Sequence, residues 1–123
     1  MKIVKKVGFF KELPYGEETA ESVHAAVGRL SQGDVENVVR YLKSGVLMIG
    51  SPGISTDVVS SSGSKIGPIG VLTDGAWAWP MELAYYVEKY RVSVPHEFLD
   101  HMRKVGWKVD AVNINEVSLD RAK

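Results

Sequence analysis

Apolar residues recur along this chain in two rhythms, one near every second position and one near every third or fourth. From Ile3 to Phe10, β-branched and aromatic residues crowd around Gly8, which predicts an edge-type strand with a bulge at the glycine. Leu13-Pro14-Tyr15-Gly16 marks a loop, after which Ala20, Val23, Val27 and Leu30 return at helical spacing until Ser31-Gln32-Gly33 ends the run. A second helix is predicted from the N-cap Asp34 through Val35, Val38, Val39 and Leu42 to a stop at Gly45, antiparallel to the first.

Val46 to Ile49 is a continuous apolar run bounded by glycines and predicts a buried, central strand. The serine-rich stretch from Ser51 to Ser64 reads as a loop, with a short strand at Asp57 to Ser60. Ile66 to Thr73 is a strand in which Pro68 argues for an edge or a bulge. Asp74-Gly75 suits the positive φ angles of a tight hairpin, and Trp77 and Trp79 share one face of the returning strand, opposite Ala76 and Ala78. Pro80 suits the first position of a helix whose buried face is Leu83, Tyr86, Val87 and Tyr90. After the extended Val92-Ser93-Val94, Pro95 opens a fourth helix with the stripe Phe98, Leu99, Met102 and Val105; Gly106 stops it, and Trp107 is placed to fold back on its last turn. Asn113 to Arg121 predicts a short final helix. The expected class is α+β: a small antiparallel sheet, a β-meander with an Asp-Gly hairpin, packed by two helical pairs. The expected order is β-α-α-β-β-β-β-α-α with a short C-terminal helix.

Composition narrows the function classes. A chain of 123 residues, 45% hydrophobic and 24% charged, is expected to fold as a single domain spanning 1–123. The chain has no cysteine, which excludes disulfides, thiolate nucleophiles and thiolate-ligated metals. Fifteen basic residues balance fifteen acidic ones, so the overall field that draws a protein onto nucleic acid is missing. No segment approaches the roughly 20 apolar residues of a membrane span, and the N-terminus carries no signal-peptide core; the expectation is a cytoplasmic protein with no membrane or nucleic-acid partner. Between residues 17 and 44, five acids (Glu17, Glu18, Glu21, Asp34, Glu36) face only Arg29, Arg40 and Lys43.

Candidate chemistry is sparse. His96 and His101 flank Glu97, but a five-residue step turns about 500° around a helix, so the rings diverge where a zinc motif needs the four-residue step. Both read as surface histidines, and no metal or cofactor is expected. Ser62-Gly63-Ser64-Lys65 matches an S-x-x-K pattern without the helix start or partner motifs that the chemistry requires. Glycines at 50, 53, 67 and 70 complete no phosphate loop. Paired acids such as Glu97 and Asp100 look like solvated helix faces. No catalytic residue is assigned. Tyr85 falls off the stripe of its helix and Tyr15 lies in a loop, which makes both candidates for anchors on a partner.

The run from Thr73-Asp74-Gly75 through Trp77-Ala78-Trp79-Pro80, then Leu83-Ala84-Tyr85-Tyr86-Val87 to Tyr90, then Pro95-His96-Glu97-Phe98 to His101, resembles small bacterial immunity proteins encoded beside polymorphic toxins, including Rhs-type toxins. The resemblance implies a non-enzymatic inhibitor without cofactor, whose partner is a cognate toxin domain, bound in a 1:1 complex that occludes the toxin's active site or target surface. It names no functional residues. From exposure and charge, the partner-binding candidates are Tyr15, Glu17, Glu18, Glu21, Asp57 and Tyr85. Two competing readings are a small-ligand module or enzyme using the His96, Glu97 and Asp100 region, and an adaptor subunit of an unrelated complex.

Overall fold

In the computed structural model, which describes residues 2–119, the chain is α+β: a curled five-stranded mixed sheet carries four helices. The strands are β1 (Lys2–Lys6), β2 (Val46–Thr56), β3 (Lys65–Thr73), β4 (Trp77–Pro80) and β5 (Val117–Leu119), in spatial order β2-β3-β4-β1-β5. The helices are α1 (Val23–Ala26), α2 (Val35–Lys43), α3 (Leu83–Tyr90) and α4 (His96–Lys104). β2, β3 and β4 form the expected antiparallel meander, but β1 pairs in parallel with both β4 and β5, so the sheet is mixed rather than antiparallel.

The hairpin between β3 and β4 is built as its sequence dictates. Gly75 takes φ 95°, a conformation that a side chain disfavours, and Asp74 Oδ1 accepts the N–H groups of Ala76 and Trp77 at 2.8 and 2.7 Å. Trp77 and Trp79 then emerge on the helical side of the sheet, where Phe98 of α4 meets their rings at centroid distances of 5.0 and 5.6 Å. Trp79 donates its indole N–H to Leu42 O at 3.0 Å, and a Cβ on Gly45 would come within 2.6 Å of the same indole. The end of α2 is thus glycine because Trp79 occupies the space. Helix α4 closes with Gly106 N–H on Arg103 O and Trp107 N–H on Met102 O, both residues at positive φ, the bonding of a Schellman motif.

Several expectations are corrected. Pro80 is the last residue of β4 and α3 begins at Leu83, and β1 ends at Lys6, which leaves Gly8 beyond the strand. The first helix shrinks to one turn, because Gly28, Leu30 and Ser93 use backbone bonds to join residues 26–30 to the end of α3 and the segment after it. These long-range bonds displace the local helical ones that the apolar spacing predicts. β2 is an edge strand, and β1, expected at an edge, lies between β4 and β5. β2 continues to Thr56, and the strand expected at Asp57 to Ser60 is a turn. The final helix is replaced by a 3₁₀ turn, Ile114–Glu116, and then β5; the end of that expected helix, 120 and 121, lies outside the described residues.

The main core lies between the sheet and the helices, where Val38, Leu42, Leu83, Tyr86, Val87, Phe98 and Met102 are buried. A smaller cluster of Val4, Phe9, Val71 and Ala78 fills the other, inner side of the curl. Phe98 contacts three aromatic rings, those of Tyr41, Trp77 and Trp79, and is fully buried. Phe98→Ala should therefore lower unfolding free energy by about 3–5 kcal/mol, read from urea denaturation by tryptophan fluorescence.

Candidate functional site

Four of the six candidate residues, Tyr15, Glu17, Glu18 and Glu21, sit on a long irregular segment between β1 and α1. It is held tightly for a loop. Leu13 N–H bonds Phe10 O, Gly16 bonds Leu13 O, Glu17 bonds Phe9 O, Ala20 bonds Glu17 O, and Lys11 bonds Glu21 O, which ties the end of the loop to its start. The Glu12 carboxylate then accepts the Ser22 hydroxyl and, at 2.8 Å, the Val23 N–H, so the loop itself caps α1. Burial pushes the Glu12 carboxyl up, but the bonds from Ser22 and Val23 outweigh it and its pKa falls below the ordinary value.

The acids are therefore loop residues and not the first turn of a helix. Glu17 is half-buried and ion-paired with Lys6; Glu18 is exposed; Glu21 is exposed and lies 3.8 Å from Arg29. Between this loop and the 93–95 segment lies an open cleft of about 510 Å³, lined among others by Lys6, Phe9, Glu17, Glu21, Arg29 and Pro95. Tyr15, on the other side of the loop, is half-buried against the inner cluster and bonds its hydroxyl to Ser51 of β2.

Asp57 and Tyr85 lie elsewhere, and they meet each other. The Asp57 side chain, expected to be exposed, is fully buried. Its Oδ1 accepts the N–H groups of Val59 and Ser60 at 2.8 and 2.9 Å, and its Oδ2 accepts the hydroxyls of Tyr85 and Tyr90 at 2.7 and 2.6 Å. Tyr86 joins the same loop by donating to Thr56 O and accepting from Val58 N–H. Burial alone would raise the Asp57 pKa, but the bonds from Tyr90, Tyr85, Ser60 and Val59 reverse the effect and hold it at about 2. Burial, reinforced by the Asp57 charge, pushes the Tyr86 phenol up to about 12. Asp57 was missed as a buried residue because its partners lie 28 and 33 positions away.

A second saturated carboxylate went unnoticed for the same reason. Asp74, besides its turn amides, accepts the Tyr41 hydroxyl at 2.5 Å and faces His101 Nε2 at 3.0 Å. Burial and the bond from Asp74 drive the Tyr41 phenol well above its ordinary range. His101, expected on the surface, is thus half-buried; its ring is turned to Asp74 and away from the exposed His96. Glu97 pairs with Lys5 at 3.5 Å and Asp100 with Arg103 at 3.5 Å, so the His96, Glu97 and Asp100 region does not converge on a point. Glu82 is buried and accepts the Ser55 hydroxyl at 2.7 Å, while its Oε1 meets no donor among the described residues. No group of three or more His, Asp or Glu side chains among the described residues is arranged to hold a metal. No helix among them is long and apolar enough to cross a membrane. No family model, curated protein or solved structure matches the chain.

The Asp57 geometry sets a pH dependence. A carboxyl at about 2 in the folded state and about 3.9 unfolded contributes its full stabilisation above pH 4, of the order of 2 kcal/mol, and loses it as pH falls toward 2. Asp57→Asn should be destabilised by that order at pH 6, and the wild-type and variant urea midpoints should converge as the pH approaches 2.

Proposed function

We propose that this chain is a cytoplasmic immunity protein that binds a cognate bacterial toxin domain and blocks its active site or target surface. The observation that carries this reading is the loop between β1 and α1: irregular in backbone, fixed by its own hydrogen bonds, and displaying Glu18 and Glu21 to solvent. Long irregular loops in compact domains are commonly functional, and a loop fixed before binding loses little entropy when a partner docks. The sequence resemblance of residues 73–101 to immunity proteins points the same way.

The surrounding chemistry fits a binder better than a catalyst. Asp57 and Asp74 spend both oxygens on turn amides, hydroxyls and an imidazole, which makes them staples of the fold and leaves them without a free lone pair aimed at solvent. Glu18 and Glu21, exposed on the loop, favour a partner with a basic face and would act mainly on association rate and specificity. The partner surface of this reading is the Glu17, Glu18, Glu21 loop with its cleft; Tyr15 is half-buried against the inner cluster, and Asp57 and Tyr85 bond each other where the β2–β3 hairpin meets α3.

The test is co-expression with the toxin domain encoded by the neighbouring gene, followed by binding kinetics on the purified pair. Cells expressing both should survive where toxin alone kills. Glu18→Lys with Glu21→Lys should slow association by about tenfold or more at low salt, with the difference shrinking as salt rises and the melting temperature unchanged. Unaltered kinetics in that double variant would remove the loop from the interface, and failure to protect would overturn the immunity reading itself.

A further inference from the structure

Among the described residues the sheet ends on two unpaired edges, β2 and β5, and its curl brings them to opposite walls of one groove. Met48 and Ile49 of β2 and Val117, Ser118 and Leu119 of β5 line it, with Ile114 and Asn115 of the preceding turn. The groove measures about 510 Å³, and none of these residues is charged. Met48, Ile49, Val117 and Leu119 are half-buried and pack against the inner cluster of Val4, Phe9, Val71 and Ala78. The bulge in β2 contributes to this wall: the register shifts between Leu47 and Ile49, and Met48 and Ile49 both join the inner cluster where a regular strand would send only one.

Strand direction says what kind of occupant fits. β2, β4, β1 and β5 run one way and β3 the other. A strand laid between β2 and β5 in the direction of β3 would be antiparallel to both, the more stable ladder on each side. Each edge presents backbone N–H and C=O groups that need partners, and an extended backbone answers two such rows at once. Protection against such pairing is uneven along β2. Pro52 and the shift between Ser51 and Ile54 interrupt the strand beyond Ser51; 46–51 contain neither proline nor charge, and the one irregularity there, the shift between Leu47 and Ile49, brings Met48 to the groove. Leu47, on this stretch, is 55% exposed.

We propose that the groove between β2 and β5 receives an extended, uncharged segment of a partner protein as a sixth strand, antiparallel to both edges, with alternate apolar side chains turned toward Val4, Val71 and Ala78. The uncharged lining selects that chemistry, because a charged side chain entering it would lose water without gaining a counter-charge. The residues of this chain after Leu119 are Asp120-Arg121-Ala122-Lys123, charged at three of four positions and so a poor match for the lining. The inference rests on the sheet alone and does not depend on the identity of a toxin.

The experiment is amide hydrogen exchange by NMR on the intact chain, titrated with a short synthetic peptide of alternating valine and threonine carrying lysines at both ends. Two counterparts are N-methylated, one at the valines and one at the threonines. Successive residues of a strand point their amides to opposite sides, so each counterpart has lost pairing with one edge only. The parent peptide should slow exchange within both 46–51 and 117–119, and each methylated peptide should bind about tenfold or more weakly. Met48→Lys should abolish the effect at unchanged melting temperature; should that variant unfold, the methylation comparison still decides.

Several results would overturn the proposal. No protection at millimolar peptide leaves no strand site. Protection on one edge, with one methylated peptide as good as the parent, means simple edge addition. Equal binding of all three peptides means an apolar pocket indifferent to backbone pairing. Protection of 46–51 that rises with protein concentration in the absence of peptide assigns β2 to a second copy of the chain. Binding seen only after removal of residues 120–123 assigns the groove to the chain's own tail.

Discussion

A carboxylate taken out of water must have its lone pairs filled, and this fold is organised around two that are. Asp57 and Asp74 each give one oxygen to the amides of the turn they begin and the other to side chains from helices distant in sequence. A local turn motif thereby becomes a long-range tie. Asp57 fastens the tip of the β2–β3 hairpin to α3 through Tyr85 and Tyr90, and Asp74 fastens the β3–β4 hairpin to α2 and α4 through Tyr41 and His101. Removing either carboxylate would strand tyrosine hydroxyls and turn amides together, which is why the cost of such a change exceeds that of one ordinary hydrogen bond.

These ties divide the molecule into parts with different freedom. The helical side of the sheet is closely packed: Trp79 fills the space that Gly45 leaves, and Phe98 is enclosed by three rings. The inner side of the curl is smaller, and several of its residues remain half-exposed at the two sheet edges. The loop between β1 and α1 is anchored in both: Phe10 and Leu13 enter the main core and Phe9 the inner cluster, and backbone bonds and Glu12 hold the rest. The two surfaces proposed for partners lie outside these packed layers, at the acidic loop and along the seam between β2 and β5.

What the sequence makes legible follows from the range of the forces involved. Helices α2, α3 and α4, the Asp74-Gly75 turn, the shared face of Trp77 and Trp79, and the stop at Gly106 and Trp107 all rest on neighbours within a few residues, and all appear in the structure. The α+β class follows from them. The first helix fails because its amides pair with residues about 60 positions away, a competition that local spacing does not record. β5 escapes notice because three residues are too few for an alternating pattern, and its pairing with β1 makes an interior strand of one that reads as an edge. At the candidate site, the acidic character of Glu17, Glu18 and Glu21 was legible while their backbone setting was not. Tyr85 was correctly placed off its helix stripe, but what covers it is Asp57, a contact that only the fold supplies.

The way the loop is held separates its exposed side chains from the stability of the fold. Changes at Glu18 or Glu21 touch neither buried aspartate, neither hairpin nor the aromatic cluster around Phe98, because the loop draws its order from Glu12 and from main-chain bonds that any side chain at 18 or 21 leaves in place. Exposed positions whose backbone is held independently of their side chains tolerate substitution at little thermodynamic cost. On the proposed immunity reading, specificity would be carried by side chains the fold does not use, on a backbone held by the bonds of the loop.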